Sequence, residues 1–170
     1  MVAGHNQSGE SCIIRDELAP TRVATPAYTV NGVWQLEKVP TSIHADATFG
    51  EAISIIPPPE GFNFFITTFP PDSEYDVGAG YAASLAASGG AETRLEDDGG
   101  IPGLHVTRTV DMVTVVSGEM YVVFEEGETL LTPGDTVVQR GTAHTWSNRA
   151  TEPCTVVSLM VSAKEDQPWA

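Results

Sequence analysis

The chain has 170 residues, 41% of them hydrophobic, enough for one compact domain with a real core. Eight basic and twenty-three acidic residues give a net charge of −15, a field that repels phosphate backbones and anionic lipid, so nucleic acid and membrane surfaces are excluded as partners. No apolar run approaches the roughly 18 residues of a membrane helix.

In chain order, residues 1–20 are polar and lack the apolar core of a secretory signal, which predicts a cytoplasmic protein opening with a loosely held arm. Cys12 and Cys154 have no metal-type spacing; Cys154, in "PCTVVSLMV", reads as a core residue. His5 and His44 have no partners by spacing and read as exposed. Asn31-Gly32 in "YTVNGVW" is a hairpin cue, and "FGEAISII" and "FNFFITTF" read as strands separated by the breaker "PPPEG". A short helix is expected near 78–90, in "VGAGYAASLAASGG", within a 72–101 insertion otherwise empty of strand signal and read as a loop or lid. From Leu104 onward, "DMVTVVSG", "EMYVVFE", "TLL", "TVVQ", "HTWSNR" and "CTVVSLMVS" are short strands joined by tight turns. So many short strands must close on themselves or stack as two sheets. The expected architecture is all-β, a single barrel or jelly roll over 21–163 with a tail at 164–170.

Two segments carry a family resemblance. "PGDTVVQRGTAHTWSN", Pro133 to Asn148, is similar to the second motif of the cupin superfamily: a Pro-Gly-Asp turn, a strand, a glycine turn, a histidine and an asparagine four residues later. "GLHVTRTVDMVTVVSG", Gly103 to Gly118, resembles the first motif, with His105, Thr107, Asp111 and Gly118 where metal-binding cupins carry His, His, Glu and Gly. The pair also resembles a cupin subgroup reading His-x-Thr-x-Thr-x-Asp and GDxxxQRGxxHxWxN, some fungal relatives of which accompany aromatic polyketide pathways. The resemblance implies a cupin β-barrel whose lumen holds the site.

What it implies chemically starts from His105, Asp111 and His144, two imidazoles and a carboxylate that suit a divalent Fe, Zn, Mn or Ni ion. Asp111 has a second reading, a bond to a backbone amide at a strand bend. Positions 105, 107, 109 and 111 share one face of a regular strand, and "TRTV" offers no Gly or Pro for the turn that normally separates the two ligand strands; a bulge there would supply it. Thr107 and Thr109 are substrate-binding candidates or plain β-formers. Trp146 shares the His144 face and would stack on a planar ligand or pack in the core. Arg108 and Arg140 read as surface and turn residues.

Nucleophile elbows, phosphate loops and dinucleotide fingerprints are absent, so no nucleotide cofactor is expected. The first functional expectation is a small-molecule enzyme in which the metal polarises a carbonyl- or carboxylate-bearing substrate, aromatic or polyketide-like, for decarboxylation, another lyase step or isomerisation. An Fe(II) oxygenase is a branch of it. The alternatives are a metal-free enzyme with His144 or His105 as catalytic acid or base, and a non-catalytic small-ligand barrel. Cupins often pair through N-terminal strands, so a homodimer is expected.

Overall fold

A computed structural model describes residues 1–46 and 49–164. Eleven strands and one helix are described, and the fold is an all-β jelly roll. Strands β3 (Thr21–Ala24), β4 (Thr29–Leu36), β5 (Phe62–Phe69), β6 (Thr109–Ser117), β9 (Thr136–Arg140) and β11 (Cys154–Ser162) form a six-stranded sheet in the order β3-β4-β5-β11-β6-β9. Strands β7 (Met120–Phe124), β8 (Glu128–Leu131) and β10 (His144–Ser147) form a three-stranded sheet in the order β10-β7-β8. Every ladder is antiparallel. No helix among the described residues is long and apolar enough to cross a membrane.

Period-2 patterning decides which faces meet. Along β6, Thr109, Asp111, Val113 and Val115 are buried while the residues between them are less so, and along β5 Asn63, Phe65, Thr67 and Phe69 do the same. Val30, Phe65, Val113, Val115 and Val156 of the larger sheet join Met120, Val122, Leu131 and Trp146 of the smaller one in a single core cluster. Cys154 is fully buried there, as its apolar context predicts.

Three expectations change. Asn31-Gly32 does not turn: β4 runs through it, and the register against β5 shifts between Gly32 and Trp34. Glycine is needed there because a Cβ at Gly32 would lie 2.4 Å from the Phe49 ring, itself stacked on Phe65. "FGEAISII", residues 49–56, forms no strand; Phe49 and Ile53 are buried as anchors of an irregular segment. The N-terminal arm is ordered as a hairpin of β1 (Val2–His5) and β2 (Ser11–Arg15). His5 and His44 are exposed as expected, yet their rings face each other edge-on at 6.1 Å.

The insertion holds the expected helix, α1 (Val77–Ala87). Asp76 caps it by accepting from the Ala79 amide at 2.8 Å. Gly89, at φ +65°, ends it, and the Gly90 amide donates to the Leu85 carbonyl. Tyr81 and Leu85, four residues apart on one face, are each 1% exposed and line the internal cavity. The helix thus plugs the interior instead of sitting on it as a loop.

Candidate functional site

Two of the chain's crossings between the sheets run side by side. One crossing leads from His105 into β6, the other from β9 into β10. His105 lies in an isolated antiparallel bridge with His144, each backbone amide donating to the other's carbonyl at 3.0 Å. The backbone then bends at Arg108 and joins the larger sheet at Thr109. This bend takes the place of a glycine turn, and it leaves His105, Thr107, Thr109 and Asp111 all buried on the inner side. On the second crossing Gly141, at φ +62°, supplies the turn, and its amide donates to the Thr109 carbonyl at 2.9 Å.

Four side chains therefore enter the interior as two cross-strand pairs, His105 opposite His144 and Asp111 opposite Gln139. All four line a cavity of about 80 Å³ together with Thr107 and Trp146. The remaining wall is largely apolar and aromatic, including Tyr28, Phe65, Phe69 and Tyr81. Such a lining, apolar with a few convergent polar groups, is the usual character of a small-molecule site.

Backbone contacts set the histidine tautomers. The Nδ1 of His105 lies 2.9 Å from the Gly103 carbonyl, and that of His144 lies 2.9 Å from the Thr142 carbonyl. A carbonyl only accepts, so each Nδ1 carries the proton and each Nε2 keeps its lone pair. The rings are 4.5 Å apart between centroids. Burial pushes the His105 pKa down, with the Gly103 carbonyl opposing. Burial and then the neighbouring His105 push His144 down to about 3, with the Thr142 carbonyl opposing. Both are neutral imidazoles at neutral pH.

Asp111 is shifted the other way. Burial raises its carboxyl to about 6, while the Thr109 and Thr107 hydroxyls pull it back. Its Oδ1 has no hydrogen-bond partner among the described residues, and neither do Oε1 and Nε2 of Gln139. Thr107 and Thr109 bond each other through their hydroxyls at 2.6 Å. Thr107 lines the cavity, whereas Thr109 is buried without being part of the lining. Trp146 fills both of its expected roles, lying in the core cluster and on the cavity wall, edge-on to His144 at 5.8 Å between centroids.

The expected metal set is not assembled. Among the described residues no three or more His, Cys, Asp or Glu side chains are grouped to hold an ion. His105 and His144 come together, but Asp111 lies beyond the bend on the other sheet and does not complete a group with them. The position of a further imidazole is held by Thr107, whose hydroxyl is committed to Thr109. These residues do not fit a resident metal held by three protein ligands.

Gln139 was not among the residues singled out from the sequence. The available signal was parity: Val137 and Gln139 are the less exposed positions of β9, and a glutamine at an inward position of a strand beside the site is out of place in an apolar core.

Comparison with known proteins finds a family match over part of the chain. The Cupin_2 family, described as a cupin domain, matches residues 92–161, which hold every one of these site residues. Residues 92–161 match a cupin domain. Over 69 residues, 39% of the chain, this cupin is 39% identical to phomopsin biosynthesis cluster protein C' of Diaporthe leptostromiformis, covering 36% of that protein. Over 63 residues, 35% of the chain, it is 46% identical to oryzines biosynthesis cluster protein J of Aspergillus oryzae, covering 35% of that protein. The match thus spans about a third of each relative. Among solved structures, a Cupin 2 conserved barrel domain protein from Salinispora arenicola aligns at 12% identity and a TM-score of 0.49, over 91% of this cupin and 92% of that chain.

Proposed function

We propose that this cupin domain binds a small organic molecule in its lumen and moves protons on it without a resident metal, as a lyase, decarboxylase or isomerase for a carbonyl- or carboxylate-bearing substrate. The carrying observation is that two opposed neutral imidazoles, each with Nδ1 pinned to a carbonyl, and a carboxyl raised to about 6 line one cavity. An Nε2 lone pair is a base already oriented and free of competing protons, and a buried carboxyl near pH 6 gives up or takes a proton near neutrality. In an isomerisation, Nε2 of His144 or His105 would take the proton beside the substrate carbonyl while Asp111 bonds to the enol oxygen. The proton then returns to a different carbon. In a decarboxylation, the proton would go to the carbon that has lost carbon dioxide. Aromatic walls suit a planar substrate, and Trp146 stands beside the base to stack on it. The names of the fungal relatives, which refer to biosynthesis clusters, support a substrate from small-molecule biosynthesis.

The test is solvent exchange. A panel of aryl ketones and aryl β-keto acids is incubated with chelator-treated protein in D2O and read by mass spectrometry. Deuterium uptake or carbon dioxide loss above the buffer rate, falling by about 100-fold or more in His144→Ala, is expected. Binding of panel members with no exchange or decarboxylation would leave the non-catalytic barrel as the better account.

A further inference from the structure

Asp111 and Gln139 are direct cross-strand partners on β6 and β9. Adjacent carboxylate and carboxamide side chains normally satisfy one another, yet Asp111 Oδ1 and both polar atoms of Gln139 lack hydrogen bonds among the described residues. The two residues are 4% and 2% exposed, and both line the cavity. Each unmet buried polar group costs on the order of 1–3 kcal/mol, and an apolar residue of the same shape would avoid it. A pair carrying several such groups in a largely apolar cavity is therefore poorly explained as packing.

We infer that Asp111 and Gln139 form a reading pair for the ligand, one that selects a planar ring bearing a carbonyl flanked by two hydrogen-bond donors. The donor inventory gives the match. Gln139 Nε2 donates, which calls for an acceptor such as a carbonyl oxygen; Gln139 Oε1 and Asp111 Oδ1 accept, which calls for hydroxyl or N–H groups on either side of it. The aromatic walls receive the ring. A ligand without these groups leaves the pair as unmet as before, so discrimination comes from the empty-handed competitor as much as from the favoured one. The inference rests on the proposal that the lumen binds a small molecule, and it adds which one.

Two probes of similar bulk test it, 2-hydroxybenzamide, which carries a carbonyl between a hydroxyl and an amino group, and ethylbenzene, which carries neither donor nor acceptor. Dissociation constants are measured by ligand-observed NMR on the full chain. The wild type is expected to favour 2-hydroxybenzamide by about tenfold or more. Gln139→Met should lower that preference by about tenfold while leaving ethylbenzene affinity and Tm undiminished. The ratio between probes is insensitive to general loosening of the fold, which would move both. Asp111→Asn, with the acceptor at one oxygen replaced by a donor, should lower the preference as well and carries the test should Gln139→Met fail to fold. An unchanged ratio in both variants would overturn the reading pair and leave the binding cavity standing. Failure of the wild type to bind either probe would overturn both.

Discussion

His105 and His144 face each other across a two-bond backbone bridge, with their imidazole centroids 4.5 Å apart and each Nδ1 held by a carbonyl two residues earlier in its own chain segment. The backbone thus fixes position, ring orientation and tautomer at once, without a second layer of side chains.

That arrangement leads to a signed pH dependence of stability. His144, lowered from 6.5 to about 3, takes a proton in the unfolded chain but not in the folded one between those values, so its contribution rises with pH across that span. His105 is shifted in the same direction. Asp111, raised from 3.8 to about 6, holds a proton in the folded chain that the unfolded one has lost, so its contribution is full below 3.8 and disappears as pH rises through about 6. The carboxyl therefore offsets part of the histidine slope. Urea unfolding between pH 4 and 6 should show a steeper rise in Asp111→Asn than in wild type and a shallower one in His144→Gln. Equal slopes for wild type and Asp111→Asn would show that the carboxyl is not shifted.

Thr107 faces the cavity between the two pairs, at the position where metal-binding cupins carry an imidazole. Thr107→His should add a nitrogen ligand to His105 and His144 and create a tetrahedral site with one open position. After Zn2+ incubation and dialysis, elemental analysis is expected to find about one ion per chain in the variant and only background in wild type. Tight stoichiometric metal in the wild type would contradict the metal-free reading.

Gly103 sits at φ +78°, and a Cβ there would lie 2.6 Å from the Tyr81 ring. Its carbonyl also holds His105. Gly103→Ala combines backbone strain with a clash against a fully buried ring, and chemical denaturation should report a loss of about 2–4 kcal/mol. A loss below about 0.5 kcal/mol would mean that α1 does not press Tyr81 against this turn.

Tyr81 donates its hydroxyl to the Trp146 carbonyl at 2.7 Å, tying the inserted helix to the strand that carries His144. Tyr81→Phe removes the donor and leaves a buried carbonyl short of it. The expected cost is about 1–3 kcal/mol by denaturation, with the cavity shape otherwise retained.

The site was legible in the sequence wherever one rule governed it. Alternation placed His105, Thr107 and Asp111 on one face and Trp146 on the face of His144, which the resemblance to the second motif marked. The strands from Leu104 onward followed their turn residues. Where two rules competed, local reading failed. Asn31-Gly32 has hairpin chemistry, but the Phe49 ring claims the space beside Gly32 and keeps it in a strand. The segment at Phe49 and Ile53 has β-forming residues, but they are buried as anchors without a ladder. The alanines of α1 announced a helix, yet its buried face is Gly80, Tyr81, Ser84 and Leu85, with only two large apolar side chains, too few to show as a stripe. Asp111 fell on the expected face but opposite Gln139, because the bend at Arg108 separates it from the histidines; no local residue marks that bend.

The most direct test of the account is the protonation pattern of the two imidazoles, read by long-range nitrogen–proton correlation NMR of the chain with labelled histidines from pH 5 to 8. The account predicts that His144 stays neutral over this whole range and that His105 is neutral at pH 7, each with the proton on Nδ1 and an unprotonated Nε2. A neutral ring carrying its proton on Nε2, or a His144 imidazolium at pH 6, would contradict it.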